Sequence, residues 1–254
     1  MIEVSDLSKV FVPRKGAPIT ALDGVSLTIE RNEFVAVVGP SGCGKSTLLR
    51  IIAGLIAPTG GDVSINGERV TKPLAEVGIV FQHPTLLPWA TILDNVLFPL
   101  RMTNRMQSDS SQRASELLEL VGLCGFERRY PRELSGGMQQ RVSICRALIG
   151  DPDLLLMDEP FGALDALTRE EMTEQLLRVW TERPKGILFI THSIAEAVLL
   201  ADRVVVMTPR PGRIAEIMSV NLPRPRTFDH EATDEFHRCS QRIRSIVFGK
   251  RRAS

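Results

Sequence analysis

The 254 residues carry almost no net charge, since 31 Lys and Arg stand against 30 Asp and Glu, a formal +1 at pH 7. A chain that grips nucleic acid needs a basic surface, so this balance argues against nucleic acid as a partner. Cysteine is scarce as well. Cys43, Cys124, Cys145 and Cys239 lack the C-x-x-C or Cys/His spacing that a zinc site or a disulfide scaffold requires, and a reducing compartment is expected. No run of about 20 apolar residues is present to cross a bilayer, and Met1-Ile2-Glu3-Val4 opens without a charged segment followed by an apolar one. The expectation is a soluble, non-secreted protein that meets a membrane through a partner. Internal repeats and low-complexity tracts are also missing.

What is present suits one large α/β unit, or a core with a modest insertion. Residues 21–29 and 34–38, with Arg31-Asn32-Glu33 between them, predict two strands joined by a tight turn. The second strand runs straight into a glycine-rich loop. Residues 45–55 then show apolar positions at helical spacing, stopping before Pro58 and Gly60-Gly61. Residues 63–65 with the turn Asn66-Gly67 predict a hairpin, and 77–81 a short strand. From 84 to 149 helical patterns take over, most clearly at 111–121 and 136–149, which predicts an inserted helical subdomain. Strand 154–157 is wholly apolar, as in a strand buried on both faces. Helix 167–182, strand 187–191, helix 194–200 and strand 204–207 continue the alternation of a covered, mainly parallel sheet. Pro209-Arg210-Pro211-Gly212 predicts a turn and 231–248 a C-terminal helix. The basic cluster Arg238, Arg242, Arg244, Lys250, Arg251 and Arg252 reads as a solvated helix face and a frayed tail in preference to a contact with anionic lipid headgroups.

Gly39-Pro40-Ser41-Gly42-Cys43-Gly44-Lys45-Ser46 fills the pattern G-x-x-x-x-G-K-[ST] between a predicted strand and a predicted helix. The chemistry needs these residues: glycines let consecutive N–H groups turn inward around phosphate oxygens, and the helix presents its positive end to the same anion. Lys45 is expected to neutralise the β- and γ-phosphates of ATP, Ser46 to place its hydroxyl on Mg²⁺, and Thr47 to donate to the α-phosphate. At the end of strand 154–157, Asp158 is expected to hold the metal through water. Glu159 is suited to orient and polarise the attacking water, because an in-line displacement needs a base opposite the leaving group.

Leu134-Ser135-Gly136-Gly137-Met138-Gln139-Gln140-Arg141 separates this chain from other P-loop proteins. Here the sequence resembles the ABC ATPase family, whose LSGGQ signature it matches apart from Met138. Ser135, Gly136 and Gly137 at a helix start form a second anion-binding concavity. The resemblance implies a head-to-tail dimer of two copies, in which the signature of one closes on the γ-phosphate held by the P-loop of the other. Further family motifs follow in order: Phe11 as the adenine-stacking aromatic, Gln82 as the Q-loop glutamine, Ala163-Leu164-Asp165 as the D-loop and His192 as the switch histidine. By the same resemblance, Gln82 contacts Mg²⁺ and the attacking water, His192 bonds the γ-phosphate, and Asp165 communicates across the dimer. Phe11 stands where Tyr is more usual, which removes a hydroxyl and keeps the π-face. The implied fold is an α/β P-loop NTPase: a RecA-like, mainly parallel sheet core with an antiparallel β subdomain and an inserted ABC-specific α-helical subdomain. The expected boundaries are 1–83 for the β subdomain and P-loop part, 84–150 for the helical subdomain, 151–220 for the rest of the core and 221–254 for a C-terminal helical extension.

The stretch Phe81-Gln82-His83-Pro84-Thr85-Leu86-Leu87-Pro88-Trp89 is similar to the LLPW segment of the nitrate/sulfonate/taurine importer ATPases. Residues 157–169, and 209–214 with 222–226, carry the same resemblance. Leu86, Leu87 and Trp89 either form a partner-docking patch or fill the helical core. The importer resemblance implies two identical ATPase subunits, a separate transmembrane permease and an extracytoplasmic solute-binding protein, with this chain at the cytoplasmic face of the inner membrane. Nitrate, aliphatic sulfonates, taurine or a small organic precursor all remain open as cargo. The competing expectation is a soluble ABC ATPase acting in DNA repair or on ribosomes. Such proteins typically carry long coiled coils or two cassettes, whereas this sequence has one P-loop, one signature and no extended heptad region.

Overall fold

The computed structural model describes residues 1–249, so Lys250, Arg251 and Arg252 of the basic cluster lie outside the described residues. In chain order the elements are β1 (Ile2–Phe11), β2 (Ile19–Ile29), β3 (Phe34–Val38), α1 (Lys45–Ile52), β4 (Gly60–Ile65), β5 (Glu68–Arg69), β6 (Val77–Val80), α2 (Ile92–Met102), α3 (Ser110–Leu120), α4 (Gly136–Leu148), β7 (Leu154–Asp158), α5 (Ala166–Glu182), β8 (Gly186–Ile190), α6 (Ile194–Leu200), β9 (Arg203–Met207), β10 (Ile214–Ser219) and α7 (Asp234–Gly249). They fall into two compact units: Met1–Leu74 together with the chain from Gly186 onward, and Ala75–Lys185.

In the first unit, β2, β1, β4 and β5 form an antiparallel sheet in that order. Strand β1 escapes a period-2 search because Ile2, Val4 and Leu7 are its buried residues, and the step from Val4 to Leu7 is one residue too long. Asp6 absorbs the extra residue at φ 47°, and the pairing register slips between Val4 and Leu7, the signature of a bulge. The β4–β5 hairpin turns through Asn66 and Gly67, at φ 52° and 83°, as a two-residue turn of this hand demands.

The two strands predicted at 21–29 and 34–38 are both present, but they belong to different pairings. β2 pairs with β1, while β3 runs parallel to β8 on one side and β9 on the other, and β10 pairs antiparallel with β9. All five residues of β3 are buried, which explains its unbroken apolar run. Helix α6 packs on β3, and α7 on α6 and β9. Helix α1 stops at Ile52, earlier than 55, because Gly54 takes φ 70° and lies against the backbone of Lys72 and Pro73. Strand β10 is weakly marked by pattern because none of its residues is buried: Ile217 faces solvent, and Glu216, on the half-buried face, is held by Arg242 at 2.6 Å. That pair, with Arg238 against Glu235, ties down two members of the basic cluster.

The segment 222–226 has a structural role. Arg226 is 5% exposed and donates to the carbonyls of Val198, Leu199 and Ala201 at 3.3, 3.2 and 2.7 Å, closing the C-terminal end of α6 with a cation. Burial pushes its pKa down to about 10, still far above neutrality. Arg224 pairs with Asp202 at 2.7 Å.

In the second unit β6 and β7 run parallel, and α2, α3 and α4 pack around Val96, Leu97, Leu118, Val142, Cys145 and Ile149. Burial pushes the Cys145 thiol well up, as suits a thiol that serves as packing. Helix α2 carries Pro99 in its interior, which weakens its sequence signal. Its start is well marked: the Thr91 hydroxyl accepts from the Asp94 amide at 3.1 Å. Asn95, fully buried, accepts from Leu87 N–H at 2.7 Å and donates to the carbonyls of Leu87, Ala90 and Thr91. One side chain thereby bonds four backbone groups at the two ends of the 87–91 loop.

Lys185, buried at the end of this unit, donates to Asp151 at 3.0 Å and to the Pro152 carbonyl at 3.2 Å. The Lys185 ammonium holds the Asp151 carboxyl below its ordinary value of 3.8. A depressed carboxylate contributes stability that is present above 3.8 and is lost as the pH falls through the lower folded value. Lys185→Met is therefore expected to flatten the acid limb of the stability profile, measured by urea unfolding from pH 5 downward. An acid slope identical to the parent's would remove this pair from the acid response.

Candidate functional site

In the first unit, the parallel pairing sets the carboxyl ends of β3, β8 and β9 along one edge, with Val37 opposite Ile190 and Val38 opposite Val206. That edge is where open α/β sheets bind ligands. Gly39 to Ser46 leave β3 there, and His192 leaves β8 there. Gly42 and Gly44 adopt φ 74° and 103°, a conformation that L side chains avoid. At Gly44 the need is double, since a Cβ would stand 2.7 Å from both the Ala21 carbonyl and Leu22 Cδ2. Gly44 is also the N-cap of α1 and makes no side-chain cap, so the helix start keeps the character of an anion site.

Lys45 is only 5% exposed, and its ammonium donates to the carbonyls of Gly39 and Pro40 at 3.0 and 3.2 Å. The cation thus sits over the loop, on the loop's own oxygens. Cys43 is buried, with its sulfur 4.0 Å from the Lys45 nitrogen, and its amide closes the turn onto the Pro40 carbonyl. Ser41 is exposed, and Ser46 and Thr47 are half-buried in the first turn of α1. Phe11 ends β1 with 41% of its surface exposed. His192 is exposed on a bend braced from below: the Thr191 hydroxyl donates to buried Glu196 at 2.5 Å, and the Ser193 hydroxyl accepts from the Glu196 amide at 3.3 Å.

Gly212 is a residue that motif reading did not single out. Its amide donates to the Ala21 carbonyl at 3.0 Å, and its own carbonyl accepts from Asp23 N–H at 3.0 Å. Its Cα lies so close to the Cys43 carbonyl that no Cβ fits between them. The 209–212 turn is thus a buttress under the P-loop. Its signal was the Pro-Gly punctuation, which foretells a turn without saying what the turn supports.

In the second unit, Val80 lies opposite Met157, so β6 and β7 end side by side. Gln82 and Glu159 follow those ends, and the Gln82 amide makes a long 3.5 Å contact with a Glu159 oxygen. Asp158 is buried, and Glu159 takes the left-handed φ of 46°. A non-glycine residue held there is backbone strain of the kind that collects at functional sites. The turn is held by a hydrogen bond from Gly162 N–H to the Glu159 carbonyl at 3.0 Å.

Ser135 is the N-cap of α4 and accepts from Met138 N–H at 3.3 Å. Gly136 has open space where a Cβ would be, whereas a Cβ on Gly137 would stand 2.7 Å from Thr168 Cγ2. Thr168 belongs to the first turn of α5, whose N-cap is Asp165. Asp165 accepts from Thr168 N–H at 3.1 Å, and this bond holds its carboxyl below the usual range. The signature thus meets the helix that follows the D-loop, through Gly137 and the Thr168 that Asp165 caps. Met138 packs against the helical core, so the departure from glutamine occurs at a position that serves packing here. Gln140, also missed, is buried and donates to the Phe81 carbonyl at 3.0 Å, tying the signature helix to the start of the Q-loop. Leu86 packs on the helical core, while Trp89 stands 75% exposed on the loop that Asn95 organises.

The profile of the family described as ABC transporter matches residues 22–162. The nitrate import ATP-binding protein NrtD of Synechocystis sp. is 47% identical over 255 residues, covering 98% of this chain and 96% of that protein. The taurine import ATP-binding protein TauB of Burkholderia thailandensis is 51% identical over 218 residues, covering 86% of this chain and 84% of that protein. Among solved structures, the dimeric post-hydrolysis state of the ATP-binding cassette MJ0796, bound to ADP and Pi, has a TM-score of 0.77 at 33% identity. It covers 88% of this chain and 100% of that one.

Proposed function

We propose, since this chain belongs to the ABC transporter family, that it is the ATP-binding and ATP-hydrolysing subunit of an importer for a small anion or organosulfur-type solute, of the nitrate, sulfonate or taurine kind. The observation that carries this reading is the presence in one chain of two anion cradles, the P-loop at Gly39–Ser46 and the Ser135-Gly136-Gly137 helix start. One nucleotide held by one copy has no use for two such cradles on its own chain. Two copies placed head to tail give each triphosphate a P-loop from one and a signature from the other.

In that arrangement Lys45 turns from the loop carbonyls to the β- and γ-phosphates, and the Ser135 hydroxyl donates to the γ-phosphate of the partner's nucleotide. Phe11 stacks on adenine. His192 bonds the γ-phosphate, and Glu159, with Gln82 beside it, polarises the attacking water for in-line displacement. By the family resemblance, Ser46, Gln82 and Asp158 are the residues that would hold Mg²⁺, each through a hard oxygen donor. Such donors suit Mg²⁺, which keeps several waters and takes few protein ligands. When bound, the metal neutralises charge on the β- and γ-oxygens.

No helix among the described residues is long and apolar enough to cross a membrane. The transmembrane path then belongs to a separate permease, with this chain at the cytoplasmic face and an extracytoplasmic solute-binding protein choosing the cargo. Trp89 is the natural anchor for that permease: a large aromatic, 75% exposed on a loop whose backbone is already fixed by Asn95, loses little entropy on docking. Co-expression with its cognate permease and purification from membranes is expected to retain the wild type. Trp89→Ala should weaken permease association by about thirtyfold or more, the scale of losing a hot-spot residue, and so lower the retained amount, with ATP binding by the free subunit unchanged. Full retention of Trp89→Ala would discard this anchor, and partition of the wild type onto ribosomes or DNA would discard the transport reading.

A further inference from the structure

Lys9 and Phe11 are two residues apart on β1 and so point to the same face of the strand. The Lys9 ammonium lies over the Phe11 ring, 5.2 Å from its centroid, and donates to the Ala57 carbonyl at 2.7 Å. The tether is not a lone contact. The Thr59 amide donates to the Ser8 carbonyl at 2.9 Å, and the Thr59 hydroxyl accepts from Val10 N–H at 3.0 Å, so the 57–59 segment is zipped along the end of β1. Lys9 is half-buried between that segment and the ring, while Phe11 keeps 41% of its surface open.

We propose that Lys9 is a positioning residue for the nucleotide base: its ammonium, anchored on the Ala57 carbonyl, clamps one face of the Phe11 ring and so presents the opposite face to a purine. The inference rests on Phe11 being the base-stacking residue. Two physical effects make the clamp useful. A cation on one face draws ring electron density toward itself, which lowers the repulsion between the far face and the π-cloud of a stacked base. Holding the ring in one orientation before the nucleotide arrives removes part of the ordering cost of stacking. The second effect matters most here, because Phe11 has no hydroxyl through which to be held.

The test measures equilibrium binding of ATP, and separately of tripolyphosphate, which has the phosphates without a base. The proteins are the full chain and its Lys9→Met, Lys9→Arg, Phe11→Ala and double Lys9→Met/Phe11→Ala forms. A half-buried cation–π contact predicts that Lys9→Met raises the Kd for ATP about three- to fivefold. Tripolyphosphate binding is expected to be unchanged, Lys9→Arg to restore ATP affinity, and Lys9→Met to have no further effect once Phe11 is alanine. Equal weakening of ATP and tripolyphosphate, full additivity in the double form, or unaltered ATP binding by Lys9→Met each overturns the clamp. If Phe11→Ala itself binds ATP like the parent, the base-stacking role of Phe11 falls, and the clamp with it.

Discussion

Glu159→Gln is expected to stop ATP turnover while leaving ATP binding intact. The substitution keeps the volume of the side chain and can keep its contact with Gln82, so the left-handed turn at Glu159, held by the Gly162 amide, has no reason to rearrange. What it removes is the basic oxygen. A positioned general base contributes roughly 10²- to 10⁴-fold to a proton-transfer step, so turnover should fall by at least about a hundredfold. With Glu159 placed as proposed, neutralising its carboxylate also relieves like-charge repulsion with the γ-phosphate, so the nucleotide-bound dimer should accumulate rather than dissipate. Size-exclusion chromatography with light scattering, run with ATP present, reads the second consequence directly. An unchanged hydrolysis rate takes Glu159 out of the chemistry, and a dead variant that stays monomeric with saturating ATP takes away the head-to-tail arrangement.

Gly212→Ala is expected to weaken ATP binding from outside the P-loop. The added methyl meets the Cys43 carbonyl, and backbone offers no rotamer by which to move aside. The Gly212 hydrogen bonds to Ala21 and Asp23 keep the 209–212 turn from withdrawing, so the P-loop is the part that must shift. Overpacking of this kind costs about 1–3 kcal/mol. Taken up as misplacement of the phosphate-binding amides, this corresponds to about a tenfold loss of affinity. Lys45→Ala supplies the reference, since losing the charge-assisted contact proposed for it with the β- and γ-phosphates should lower affinity about 10- to 100-fold. Titration calorimetry with ATP, alongside far-ultraviolet circular dichroism to verify the fold, measures both. Parent-like affinity in Gly212→Ala would mean that the turn does not support the cradle.

Much of the site was legible in the chain because its chemistry is built from short stretches. A strand, a glycine loop with Lys45, and a helix start lie within residues 34–52, and their local conformations, with Gly42 and Gly44 at positive φ, are those the residue types demand. Asp158 at the end of a wholly buried strand and Ser135 at the start of α4 are likewise local, whereas the left-handed φ of Glu159 is not what its residue type favours. Elements whose pattern is broken were not legible. Strand β1 hides behind the bulge at Asp6, α2 behind Pro99, and β10 behind an exposed Ile217.

The sequence alone determined the family and those strands and helices whose pattern is unbroken, because each depends on residues that are neighbours along the chain. Tertiary structure decided which distant groups meet. Gly212 lies against Cys43, Arg226 closes α6, Asn95 sets the loop that carries Trp89, and Lys9 reaches Ala57 beside the Phe11 ring. Such meetings depend on strand register and on where loops cross, and hydrophobic periodicity constrains neither; it tells a residue which side of its element to face and leaves its partner to packing.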